Sequence, residues 1–199
     1  MKTLHQTFLA VFSAGTTMIF ATSANASLGP NLVDNGGFET GDFSGWTLSG
    51  NPGTSGIAPF VEHSGNYGAY FGAVGSQTFL TQTLATTAGA SYDLSFWLEN
   101  DGGSANLFTV SWNGKVIDTL ANANTFGWTP FSLKVTATSA STPLVFGFQQ
   151  DTTYLHFDDA SVEQVAAPVP EVSTCLAGVL MLLPFGASSL RMLRKNRMV

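Results

Sequence analysis

Apolar and polar side chains alternate along four stretches in the middle of this chain, and this pattern limits its fold more than any other feature. The stretches are residues 92–99, 108–112, 131–136 and 144–149. A period of two places successive side chains on opposite faces of a strand, so each stretch predicts a half-buried β-strand. Few stretches of the same region have helical periodicity. The middle of the chain is therefore predicted to be all-β.

Turn-forming residues separate these stretches. Asn113-Gly114 lies between two of the apolar runs, where it predicts a tight hairpin. Further clusters of turn residues occupy 100–103, 122–124 and 139–143. Many short strands at this spacing are typical of two sheets packed face to face, so we expect a β-sandwich.

The first 26 residues have the three parts of an export signal. Lys2 gives a positive start, Phe8–Ala21 is moderately apolar, and Ala24-Asn25-Ala26 is a small-x-small cleavage site. The alternative is a permanent N-terminal anchor. The apolar part is short and rich in Thr and Ser, which favours a cleaved signal and export.

The mature domain is strongly acidic. Twelve of the 13 acidic residues lie between residues 27 and 168, together with two lysines, which gives a formal charge of −10. This charge excludes nucleic-acid binding by phosphate neutralisation. The chain has one cysteine, Cys175, which lies after this region, so a disulfide within one copy of the domain is excluded.

The C-terminal segment predicts a membrane helix. Val172–Leu190 is a run of 19 residues without a charged side chain, close to the shortest length that crosses a bilayer core. A basic cluster follows it directly and would hold that end of the helix in the cytoplasm. The cluster consists of Arg191, Arg194, Lys195 and Arg197. The alternative is a buried core helix.

The same segment resembles a known sorting signal. Val169, Pro170 and Glu171 precede Ser173-Thr174, the apolar run and the Arg-rich end. This order is similar to the PEP-CTERM signal of Gram-negative, biofilm-forming bacteria, although Val172 stands where that signal has a second proline. The resemblance implies processing by a membrane-embedded exosortase and release to the cell surface or exterior. The chain then divides into a signal peptide (1–26), a domain (27–165) and a sorting segment with one transmembrane helix (166–199).

The domain itself resembles galactose-binding-like jelly rolls, which include many carbohydrate-binding modules. The resemblance rests on an opening segment, 31–46, with Asn-Gly-Gly-Phe-Glu before a Trp, and a closing segment, 155–162, with Phe-Asp-Asp. It implies a jelly-roll β-sandwich and a structural calcium ion held by Glu39, Asp158 and Asp159. Asp158 is favoured over Asp159, because strict alternation puts Asp158 on the core-facing side of the last strand. The alternative is that both aspartates accept backbone hydrogen bonds at a turn.

Trp97 is the best candidate for a ligand contact. Alternation points it away from the apolar layer, alongside Glu99, and we expect Tyr70 and Gln149 nearby. An indole face against a pyranose, with carboxylates and amides at the hydroxyls, is typical of sugar sites. The prediction is an exported envelope or matrix protein that binds polysaccharide. The alternatives are Trp97 packed under a loop or in a second buried layer, a ligand-free structural surface protein and, least favoured, a glycan-acting enzyme, because no catalytic signature is found.

Overall fold

The computed structural model describes residues 28–166, and these residues form a compact unit of their own. They contain eleven β-strands and no helix. The strands are β1 (Leu28–Asn31), β2 (Thr47–Gly50), β3 (Ser55–Ala58), β4 (Gly68–Phe71), β5 (Thr78–Ala85), β6 (Ser91–Asn100), β7 (Asn106–Trp112), β8 (Lys115–Ala121), β9 (Phe126–Thr136), β10 (Ser141–Gln150) and β11 (Leu155–Val165). The all-β prediction is confirmed for this part of the chain.

The strands form two antiparallel sheets. Sheet A has the order β3-β4-β11-β6-β9, with β1 also paired to β11, and sheet B has the order β2-β5-β10-β7-β8. The first and last strands therefore lie side by side in sheet A. The sheets pack face to face, and the predicted β-sandwich is confirmed.

Phenylalanine rings from both sheets fill the space between them. Phe71 of sheet A stacks on Phe148 of sheet B with ring centroids 3.8 Å apart, and Phe157 lies 4.6 Å from Phe146. All four residues are fully buried. Burial of aromatic rings of this size supplies most of the free energy that holds two sheets together.

The Asn113-Gly114 hairpin is confirmed between β7 and β8. Both residues have positive φ, 51° and 77°, as a two-residue type I′ turn requires. The predicted signal peptide, the transmembrane helix and the sorting residues lie outside the described residues. Residues 28–166 contain no helix that could span a membrane.

Candidate functional site

Six aromatic rings follow one another across the outer face of sheet A. We call them the aromatic belt, and its members in order are Trp97, His63, Trp128, His156, Tyr154 and Tyr70. Successive ring centroids lie 3.6, 5.6, 6.4, 6.2 and 5.4 Å apart. Tyr154 is 40% exposed, and the other five residues are half-buried.

Strand register places the belt residues on one face. Tyr70 of β4 lies opposite His156 of β11, which in turn lies opposite Glu99 of β6. Gly56 of β3 lies on the other side of Tyr70, and a Cβ atom there would approach the Tyr70 hydroxyl oxygen to 2.5 Å. Glycine at position 56 thus lets the Tyr70 side chain extend across the neighbouring strand. The structure therefore brings Tyr70, Glu99 and Trp97 to the same face of sheet A.

A loop covers one face of Trp97. His63 lies in the connection between β3 and β4 and stacks on the Trp97 indole, with an interplanar angle of 13°. The His63 Nδ1 atom is 2.7 Å from an Asp159 carboxylate oxygen, which fixes the orientation of the imidazole. Trp97 points outward as predicted, but one of its faces is already occupied. On that face Trp97 is packed under a loop, which was the alternative prediction.

Asp158 is fully buried, but not on the core-facing side of β11. It pairs with Trp97, whose side chain is on the outer face, and a β-bulge lies between Asp158 and Ser161. Asp159 has a φ of 51° in this bulge, so both Phe157 and Ala160 reach the core. The prediction that Asp158 shares the core-facing side with Ala160 was wrong, because strict alternation fails across the bulge.

The Asp158 carboxylate holds the loop that carries His63. It accepts backbone N–H groups from His63 at 2.8 Å, Ser64 at 3.1 Å and Asp159 at 2.7 Å. Burial raises the pKa of Asp158 to about 6, and the backbone donors of Ser64 and Asp159 oppose that rise. The alternative prediction was that these aspartates accept backbone hydrogen bonds at a turn. The structure places Asp158 in that role.

The carboxylates predicted to bind calcium are occupied by hydrogen-bond donors. Glu39 accepts the backbone N–H groups of Asn66 and Tyr67, which lowers its pKa, and Asp159 bonds to the Ser64 hydroxyl and to His63. Among residues 28–166, no three His, Cys, Asp or Glu side chains are grouped so that they could hold a metal ion. These donors compete with a cation for the same carboxylate oxygens, and calcium stays a prediction from the sequence.

Gln149 lies on the outer face of the other sheet. It belongs to β10 of sheet B, faces away from the core, and donates to the Asp151 carboxylate at 3.0 Å. The strand alternation gave its outward direction correctly, but it did not assign β10 to a sheet. The structure therefore separates Gln149 from Trp97.

Two buried polar atoms beside the belt lack a hydrogen-bond partner in the described part of the chain. They are Nδ1 of His156 and Oε2 of Glu62, the residue before His63. The other imidazole nitrogen of His156 is 3.2 Å from the Asp101 carboxylate. Buried polar atoms are almost always paired in proteins, so these two mark positions where a water molecule would bond.

Sequence reasoning missed four of the six belt residues. The sequence left Trp128 open between the core and an exposed ligand site, and it favoured surface or hydrogen-bonded roles for the two histidines without placing them at the ligand site. Tyr154 follows a turn and lies outside every alternating stretch. The only available signal was the aromatic and His content of the segments flanking the strands.

Comparison with known proteins identifies the fold. The chain matches no protein-family model and no curated protein. It is similar in structure to TmCBM61 in complex with β-1,4-galactotriose, with 23% identity and a TM-score of 0.52 over 67% of this chain and 97% of that one. The domain has the jelly-roll fold of carbohydrate-binding modules.

Two larger proteins contain the same fold. One comprises the CBM22-1 and GH10 modules of a Clostridium thermocellum endo-1,4-β-D-xylanase complexed with xylohexaose, at 20% identity and a TM-score of 0.52. The other is the enzymatically active domain of bacteriophage CBA120 tailspike protein 4, at 19% identity and a TM-score of 0.51. The match spans 70% and 68% of this chain but only 30% and 21% of those chains. These likenesses show the fold alone.

Proposed function

We propose that this domain binds a neutral polysaccharide on the aromatic belt. The observation that carries the proposal is the continuity of six rings across one sheet face, with Tyr154 as its most exposed member. The structural neighbours include carbohydrate-binding modules, one of them complexed with a galactotriose, which supports a sugar as the ligand class.

The polar groups around the belt suit sugar hydroxyls. Glu99 and Asp101 lie beside His156, and their carboxylates can accept hydroxyl donors. Aromatic rings pack against the apolar faces of pyranoses while carboxylates fix the orientation of the hydroxyl groups. The belt and its acidic neighbours provide both kinds of contact.

The charge of the domain selects against anionic polysaccharides. The domain carries twelve carboxylates and two lysines. Lys134 is on the outer face of sheet A, but it is paired with Asp93 at 2.9 Å. A uronic-acid polymer would meet net negative charge, and residues 28–166 place no unpaired Lys or Arg on this face, so a neutral sugar is the better ligand.

Export and sorting complete the proposal. Residues 1–26 direct export, and residues 166–199 anchor the chain in the membrane until an exosortase releases it to the cell surface or exterior. Support comes from the sequence patterns of the two ends. Deleting residues 172–199 should free the domain from the membrane fraction, and continued membrane association would refute the anchor.

The binding proposal is tested with the isolated domain, residues 27–168. A glycan array and retention on insoluble polysaccharides identify the ligand, and Trp128→Ala and Tyr154→Ala should each reduce that retention. The matched control is Phe79→Ala, because Phe79 is a half-buried ring on the outer face of sheet B. Equal retention of all variants would refute a site on the belt. The domain would then have a structural role without a ligand. The stack of His63 on Trp97 favours that role for the Trp97 end of the belt.

A further inference from the structure

The sandwich is open along the side where both sheets end. β8 is the last strand of sheet B, β9 is the last strand of sheet A, and each pairs on one side only. A cavity of about 360 Å³ lies between these two free edges. We call it the edge cavity, and its principal lining residues are Trp112, Lys115, Ile117, Leu133, Lys134 and Val135.

The edge cavity gives access to the apolar core. Ile117 of β8 and Leu133 of β9 pack against the core cluster but are only half-buried, because no further strand covers them. Val116, next to Ile117, is 53% exposed. A volume of this size is in the range of pockets that hold small ligands, about 300–1,000 Å³.

Charge at the edge cavity is opposite to that of the rest of the domain. Lys115 and Lys134 are the only Lys or Arg residues between positions 28 and 166, and both line this cavity. Lys134 is paired with Asp93, whereas Lys115 makes no salt bridge within that range. An ammonium without a partner beside an apolar cavity is complementary to a ligand with one anionic group and an apolar body.

Lysines on edge strands also have a simpler use, since they prevent two sheets from pairing edge to edge. That use requires only that the charge lies on the free edge. It does not require an apolar cavity behind the charge. The coincidence of the cavity with both lysines of the domain therefore needs a further explanation.

We propose that the edge cavity binds a free, single-chain amphiphilic carboxylate. Its acyl chain lies against Ile117 and Leu133, and its carboxylate pairs with the Lys115 ammonium. This site is separate from the aromatic belt, because it opens between the sheets and not on the outer face of sheet A. The proposal is thus independent of polysaccharide binding.

The test measures binding of decanoate, below its micellar concentration, to the domain of residues 27–168. Titration calorimetry reports the stoichiometry, and the indole N–H signal of Trp112 in the ¹⁵N-labelled domain reports the location, because Trp112 lines the cavity. We expect saturable one-to-one binding. Lys115→Met should weaken it about tenfold or more, since a charged hydrogen bond of ordinary strength accounts for that factor. Lys134→Met should weaken it less, because Asp93 already pairs with Lys134.

Decyltrimethylammonium has the same chain with the opposite charge and serves as the control ligand. The proposal predicts that it binds far more weakly than decanoate and that Lys115→Glu abolishes decanoate binding. Three results would overturn the proposal: no saturable binding of decanoate, equal binding of the two amphiphiles, or unchanged affinity in Lys115→Glu. Binding only to anionic phospholipid vesicles would overturn it as well, because the ligand would then be a membrane surface.

Discussion

The buried carboxylate of Asp158 should make the stability of the domain fall as pH rises above about 4.5. Its pKa is raised to about 6 in the folded state, so between its unfolded and folded pKa values the folded protein binds more protons than the unfolded chain. Stability contributed by the protonated group is therefore lost as pH rises through the folded pKa. The shift corresponds to a loss of about 2 kcal/mol between about pH 4.5 and about pH 7.

The carboxylates with lowered pKa values act in the opposite direction and in a lower pH range. Glu39, Asp42 and Asp151 accept hydrogen bonds that favour their ionised forms, so their contribution is lost on acidification below their usual pKa values. Above about pH 4.5, these three carboxylates therefore do not contribute to the change in unfolding free energy that is attributed to Asp158.

Urea denaturation of the parent domain and of Asp158→Asn across this range measures the effect. The asparagine cannot ionise, so its unfolding free energy should lack the decline attributed to Asp158. It should also be lower by about 1–3 kcal/mol at acidic pH, because its amide cannot accept all three backbone donors. Asp93→Asn removes a surface carboxylate and should keep the parental slope. Parallel profiles for the parent and Asp158→Asn would refute a raised pKa at this position.

Three further predictions concern stability. Trp97→Ala should lower the unfolding free energy by about 1–3 kcal/mol, because it removes the stack with His63; a change within about 0.5 kcal/mol would show that the stack contributes little. Gly114→Val should lower the unfolding free energy by about 1–2 kcal/mol, because φ at position 114 is 77°. Gly127→Val is the control and should lower it far less, because φ is not positive there and no atom lies within 4 Å of the added Cβ. Because donors occupy the carboxylates of Glu39 and Asp159, we expect the domain to melt at the same temperature in added calcium and in chelator. A lower melting temperature in chelator would support the ion predicted from the sequence.

Local patterns in the sequence predicted strands β6, β7, β9 and β10 and the hairpin after β7. The alternation around Phe96 gave the inward and outward sides of β6, and Asn113-Gly114 gave a hairpin of the right length. These features depend only on residues that are neighbours in the chain, where the backbone period and turn preferences act directly.

The arrangement of the site depended on contacts between distant residues. The bulge at Asp159 changes the face of Asp158, and no residue pattern near it announces the change. The stack of His63 on Trp97 joins a loop to a strand 34 positions away in the sequence. Gln149 pointed outward as predicted, but the sheet to which its strand belongs is a matter of topology. Periodicity reports the two faces of a strand, and it cannot report what lies opposite either face.

The central claim is that sugar binds on the aromatic belt, and the four tryptophan indoles of the chain test it directly. Trp97 and Trp128 belong to the belt, whereas Trp46 and Trp112 are buried and donate their indole N–H groups to the carbonyl oxygens of Asn35 and Thr136. Titration of the ¹⁵N-labelled domain with a retained oligosaccharide should shift the indole N–H signal of Trp128 most, with a smaller shift for Trp97. The signals of Trp46 and Trp112 should not move. Shifts confined to amides of sheet B around Phe79 and Gln149, with all four indole signals unchanged, would place the site on the opposite face and contradict the account.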